Sequence, residues 1–166
     1  MKSLLLAAWL ALAAFSASVQ AADGDAAYKL GIGAFLDSWH DDAAHSRMAF
    51  FDKMAPGGVY IGTDKTERWT RDAFRAWAKP YFARPSAWAF KAINRNIYFT
   101  PDRNFIWFDE QLATQMGVCQ ASGVMRKTAM GFEIEHYQLS LAVPNELVDR
   151  FTASIREFES GPAAKK

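Results

Sequence analysis

A single cysteine, Cys119, is all the chain has, so no internal disulfide is possible and stability must come from packing. An excess of one charge is also missing. The 19 basic residues stand against 18 acidic ones for a net charge of +1, and the basic run is limited to the terminal Lys165-Lys166. That balance gives no field to attract nucleic acid or an anionic membrane surface. There is no phosphate-cradling glycine loop, no nucleophile elbow and no Cys-x-x-Cys, and no cofactor is expected. Charges interrupt every apolar stretch after the first, so no later segment reads as a membrane span. His40, His45 and the pair Asp41-Asp42 superficially suggest metal ligation. They sit at a helix break, however, where short polar residues are expected, and no metal is assigned to them.

What is present begins with Met1-Lys2 and an almost uninterrupted apolar run from Leu4 to Phe15, a basic n-region and h-region of signal-peptide length. Val19-Gln20-Ala21 supplies the small residues that a signal peptidase reads, so residues 1–21 are expected to be removed and the mature chain to begin at Ala22. A periplasmic or secreted protein follows from that. Removing 21 of 166 residues leaves 145, one domain's length, enough to bury roughly two thirds of the unfolded surface. Thirteen Phe, six Trp and five Tyr in the 166 residues are many, and all but Trp9 and Phe15 lie beyond residue 21. Rings of this size either fill a core or line a cavity.

Tyr28, Ile32, Phe35 and Trp39 share one helix face and predict an amphipathic helix from about Asp25 to His40. Ala44, Met48 and Phe51 predict a second, short helix ending at Pro56-Gly57-Gly58, and Val59-Tyr60-Ile61 a short strand. Thr70 is placed to cap a third helix carrying Phe74, Trp77, Ala78 and Tyr81, with Pro80 kinking its last turn. Alternating stretches then follow at 88–100, 105–115, 118–128 and 132–143, a four-stranded antiparallel meander. Pro144 suits the start of a final helix whose Leu147, Phe151, Ile155 and Phe158 share a face. Residues 161–166 read as a disordered tail, leaving residues 22–160 as the domain. Helices followed by a run of strands is an α+β order.

Two-residue turns at Met116-Gly117 and Met130-Gly131 and a four-residue loop at Pro101–Asn104 set an expected register. Phe108, Glu110, Leu112, Ala121 and Met125 then share the concave face with Ile93, Arg95, Ile97 and Phe99, and with Phe132, Ile134 and His136. Arg95 faces Glu110 directly. An isolated buried carboxylate is expelled or neutralised, whereas one forked by an Arg with a His nearby keeps its charge. Arg95, Glu110 and His136 therefore read either as a polar network fixing sheet register or as an acid/base or ligand-orienting group in a pocket. Trp39, Trp69, Tyr81, Phe108 and Met125 are expected to line that pocket beside Arg95. Asp64, Glu67 and Arg68 read as a solvated turn.

Several segments together resemble a known family: Phe35-Leu36-Asp37-Ser38-Trp39-His40, Tyr60-Ile61-Gly62-Thr63-Asp64 with Glu67-Arg68-Trp69, Phe74 with Tyr81-Phe82, Ile106-Trp107-Phe108-Asp109-Glu110, Gly123-Val124 and His136-Tyr137-Gln138-Leu139-Ser140. In this order the chain is similar to the SnoaL-like domains of the nuclear transport factor 2-like superfamily, relatives of the ketosteroid isomerases with a cystatin-like fold. The resemblance implies a cone of helices on a strongly curved antiparallel sheet, a pocket between them, and often a homodimer packed through the outer sheet face. It leaves function open, because isomerases, cyclases, dehydratases and binding subunits share the fold. The aspartate base, tyrosine and protonated acid of the steroid isomerases have no residue-by-residue counterpart here. Three readings follow: binding of a small, largely apolar molecule; an isomerase, cyclase or hydratase using His136 and Glu110 for proton transfer; or a protein-interaction subunit.

Overall fold

The computed structural model describes residues 2–161, with side chains from Asp23 onward. The side chains of the expected signal peptide, and residues 162–166 of the expected tail, lie outside that range. Helix α1 (Lys2–Ala44) is followed by a single turn, α2 (Ala49–Asp52), then by strands β1 (Met54–Ile61) and β2 (Arg68–Thr70), and by helix α3 (Arg71–Phe82). Strands β3 (Lys91–Phe99), β4 (Phe105–Thr114), β5 (Gly117–Thr128) and β6 (Gly131–Leu141) form the meander, and α4 (Val148–Ser160) closes the chain. Among the described residues, no helix is long and apolar enough to cross a membrane.

Ile32, Leu36, Trp39 and Ala43 recur at helical spacing along α1, and all are buried. At the start of α3 the Thr70 hydroxyl accepts from the Ala73 amide at 3.4 Å, and Pro80 lies inside the helix, both as the sequence suggests. The second helix is shorter than expected. Its place is taken by β1, which starts at Met54 and carries Pro56-Gly57-Gly58 through an irregular stretch between Met54 and Val59. Gly58 is needed there, since a Cβ would stand 2.7 Å from the Ile134 carbonyl oxygen.

The sheet order is β2-β1-β6-β5-β4-β3. The meander is antiparallel throughout, while β1 joins β6 in parallel. Bulges in β1, β3 and β6 bend the sheet, because an extra residue locally increases strand twist. The helices α1, α2 and α3 cover one face, burying Ile32, Phe50, Phe51 and Phe74 against Ile106, Met125, Ile134 and Tyr137.

The β4–β5 and β5–β6 turns fall one residue earlier than the sequence suggests, so that Thr114 pairs with Gly117 and Thr128 with Gly131. Moving a turn by one residue shifts the cross-strand partner by two, which preserves the face. Phe108, Glu110, Leu112, Ala121 and Met125 therefore point inward as expected. Arg95 pairs with Glu110, also as expected. Two positions are corrected. The bulge between Ala92 and Asn94 puts Ile93 outside, 56% exposed. On β6, Ile134 pairs with Met125 but His136 pairs with Val124, so Glu135 is the extra residue. That extra residue reverses the alternation. Tyr137 is buried, and His136 stands on the outer face.

Candidate functional site

Strand β4 delivers Glu110 into the core, where its side chain is fully inaccessible. The expected histidine partner is on the wrong face, and His40 of α1 takes its place, with Nε2 at 2.8 Å from Glu110 Oε1. A carboxylate only accepts, so Nε2 carries the proton. Arg95 grips the other oxygen, with Nε and Nη2 at 2.8 and 2.7 Å from Oε2. Its Nη1 donates to the Gly33 carbonyl at 3.0 Å and to Asp37 at 2.8 Å, which ties β3 to α1. Burial pushes the Glu110 carboxyl up, but the hydrogen bond from His40 and the charges of His40 and Arg95 outweigh it and hold the group below the usual carboxylate range. Arg95 is raised, because Glu110 and Asp37 outweigh its desolvation.

Both oxygens of Glu110 are thus occupied, and the carboxylate faces no water. That is the geometry of an ion-pair network spanning helix and sheet rather than of a proton acceptor waiting for substrate. His40 and Arg95 do edge an open trough between α1 and β3 that also includes Asp37, Phe90 and Asn94. Beside the network, Tyr137 has a buried hydroxyl without a hydrogen-bond partner, and burial raises its pKa well above normal.

The interior itself is filled. Trp39 stacks on Phe50 at 4.8 Å and donates from Nε1 to the Phe50 carbonyl at 2.9 Å. Phe108 and Met125 are equally buried. Three of the residues expected to line a pocket are therefore core. An apolar cleft of about 120 Å³ lies between α3, the segment carrying Trp88 and Phe90, and the sheet. Tyr60, Trp69, Phe74, Trp77, Trp88 and Phe90 line it, with Glu67 and Met116 at its edges. The rings support one another: Tyr60 on Phe74 at 4.2 Å, Trp69 on Phe74 at 5.1 Å and Trp69 on Trp77 at 4.6 Å. Tyr81 flanks the cleft through Trp77, 4.9 Å away.

Of the residues singled out from the sequence, the fold brings Arg95 to Glu110 and puts Trp69 and Tyr81 at the cleft, while His136 joins neither group. His40, Trp88, Phe90 and Glu67 were missed. His40 had a signal, since it falls four residues after Leu36 on the buried stripe of α1. Asp41 and Asp42, which adjoin it, are held by local cations: Arg47 Nε and Lys53 Nζ each reach Asp42 at 2.6 Å, and Arg47 also pairs with Asp41. Glu67 had no such signal, because only the β1–β2 hairpin carries it to the cleft.

A family model described as a SnoaL-like domain matches residues 32–144. The chain belongs to the SnoaL-like domain family. No curated protein matches it. Among solved structures this SnoaL-like domain is similar to an NTF2-like protein of unknown function from Pseudomonas putida, at 11% identity and a TM-score of 0.59, over 73% of this chain and 91% of that one. It is also similar to an NTF2-like protein with a cystatin-like fold from Novosphingobium aromaticivorans, at 11% identity and a TM-score of 0.57, over 74% and 86% of the two chains. A third, a cystatin-like-fold protein of unknown function from Nostoc punctiforme, has 10% identity and a TM-score of 0.55 over 69% and 90%. At these identities the likeness establishes the fold, an α+β arrangement of N-terminal helices on a curved open sheet with a C-terminal helix.

Proposed function

We propose that this SnoaL-like domain is an exported binding protein that holds a small, largely apolar molecule in the aromatic cleft. The observation that carries the reading is the convergence of six rings from β1, β2, α3 and the α3–β3 segment on one space of about 120 Å³. Ligand sites are concave, mostly apolar and edged by a few polar groups, and Thr63, Glu67 and Gln115 supply those here. A dry cavity of ~150 Å³ takes one benzene ring, so the group accommodated is of that size or smaller. Native mass spectrometry of the protein isolated from its own host is the test. A stoichiometric small molecule, lost in a Trp77→Ala variant, is the expected result; an empty protein that also binds nothing from a set of small apolar compounds would overturn it.

Export rests on the basic start, the apolar run and Val19-Gln20-Ala21. Recovery from the periplasm or medium with Ala22 as the first residue is expected, and an intact chain confined to the cytoplasm would contradict it. The reading as an isomerase, cyclase or hydratase loses its acid–base pair, since His136 and Glu110 stand on opposite faces of the sheet. A second reading has an observation of its own. Tyr98, Trp107 and Val124 are 37–46% exposed in adjacent strands of the outer face, which suits a homodimer or another protein partner.

A further inference from the structure

Among the described residues the cleft has no positive charge of its own. No Lys, Arg or His lines it, whereas Glu67 does. The hairpin fixes that carboxylate deliberately close: the Gly62 amide donates to the Glu67 carbonyl at 2.8 Å, the Glu67 amide to the Asp64 carbonyl at 2.9 Å, and the Asp64 amide to Glu67 Oε2 at 3.3 Å. A side chain at position 62 would collide with the same carboxylate. Lys65 is paired with Glu159 and Arg71 with Asp72, and Arg68, the next residue on β2, is exposed and not among the residues lining the cleft. Among the described residues Glu67 forms no ion pair. It is half-buried beside indole and phenyl rings with a single long hydrogen bond, and a carboxylate in such a place lacks a counter-ion.

We infer that the ligand presents a compact organic cation, a tertiary or quaternary ammonium head, to the rings of the cleft and to Glu67. This rests on the reading of the cleft as a binding site and names the class of molecule it takes. The faces of Trp, Tyr and Phe are the negative part of the ring quadrupole, and they attract a cation within about 6 Å of the ring centre. Rings and carboxylate therefore favour the same sign of charge. An anion is repelled by both, and a neutral hydrocarbon leaves Glu67 without a partner. A cleft of about 120 Å³ admits a nitrogen with three or four small substituents, with the rest of the molecule leaving past Thr63, Gln115 and Met116 at the rim.

The test compares choline with 3,3-dimethyl-1-butanol, its uncharged isostere, by calorimetry and by tryptophan fluorescence of the mature protein, with Glu67→Gln as the variant. Choline is expected to bind about tenfold more tightly than the isostere, and Glu67→Gln to remove about tenfold of that affinity while leaving the isostere unchanged. Equal or tighter binding of the isostere overturns the cationic assignment and leaves the apolar site standing. Choline binding that is indifferent to Glu67→Gln overturns it as well. Failure of both probes removes the cation together with the site beneath it. Circular dichroism of the variant checks that its fold is kept, and tetramethylammonium, which lacks the hydroxyl, tests the head group alone.

Discussion

Glu110 is surrounded by donors in a place that water does not reach, and its removal exposes what each donor was doing. Glu110→Ala leaves the Arg95 guanidinium and the His40 imidazole facing an apolar hole. Breaking a buried pair from one side costs about 3–5 kcal/mol, and a urea titration at pH 7 is expected to show that loss. The pH dependence follows from the direction of the shift. Because the folded carboxyl titrates below its unfolded counterpart, its stabilisation is complete above the unfolded pKa and disappears as pH falls through the lower, folded value. Wild type should therefore weaken in that acidic window more steeply than Glu110→Gln; parallel curves would mean that the network is not coupled to folding. Gly123 offers a second residue-level test. A Cβ there would stand 2.7 Å from two atoms of the Phe108 ring and 2.8 Å from the His136 carbonyl oxygen. Gly123→Ala is expected to cost about 1–3 kcal/mol by overpacking, and an unchanged melting temperature would show that the ring moves freely.

Helix α4 has an apolar face with no fully buried residue: Val148, Phe151, Ile155 and Phe158, with Leu147 just before the helix, are all 43–63% exposed. Its described side-chain tie to the rest is the Lys65–Glu159 pair, and exposed pairs are worth little. Truncation after Leu147 is accordingly expected to change the unfolding free energy of the remaining domain by no more than about 0.5 kcal/mol. A larger loss by thermal or urea unfolding would show that α4 seals a surface of the domain. The same helix marks how far the sequence could be read. Its periodicity predicted the element and the shared face but not the absence of a partner, since pattern reports amphipathicity and only tertiary structure decides what covers it. In the meander, misplaced turns did no harm to the inward set, because each error moved the register by two. The β6 bulge was different. One extra residue, Glu135, carries no compositional mark, and it moved His136 out of the site and brought Tyr137 in. Pro56-Gly57-Gly58 looked like a helix stop because those residues break helices, yet the irregular start of β1 uses the same backbone freedom. Its parallel pairing with β6 joins segments about 80 residues apart, beyond what local pattern carries. The aromatic cleft was half legible: Trp69 and Tyr81 stood out as rings near a capped helix, while Trp88 and Phe90 were absorbed into the expected strand.

At the scale of the whole molecule, helices cover one face of the sheet and, among the described residues, leave the other open. A row of facing residues crosses the uncovered side from Tyr98 through Trp107, Val124 and His136 to Val59, one from each of five adjacent strands. Tyr98 and Trp107 stack at 5.9 Å with 13° between their planes, and Phe105 and Val118 lie exposed on the same surface. Asp109, Gln111, Gln120, Ser122, Gln138 and Ser140 line a polar hollow beside the row. An exposed apolar strip bordered by polar groups is the pattern of an interface rather than of a solvated surface. A twofold pairing of such faces places the same strip on both sides and needs no second partner. With a net charge of only +1, long-range repulsion does not oppose two copies meeting. The mature protein is thus expected to elute with twice its chain mass in size-exclusion chromatography with light scattering. Trp107→Arg puts a charge in the middle of the strip without touching the core or the cleft, so it should yield a monomer that keeps its secondary structure. A wild-type protein that stays monomeric across the micromolar range would rule out the self-pairing and leave the strip for a different protein; a dimer that survives Trp107→Arg unchanged would move the interface elsewhere, with the open face of α4 the next surface to alter.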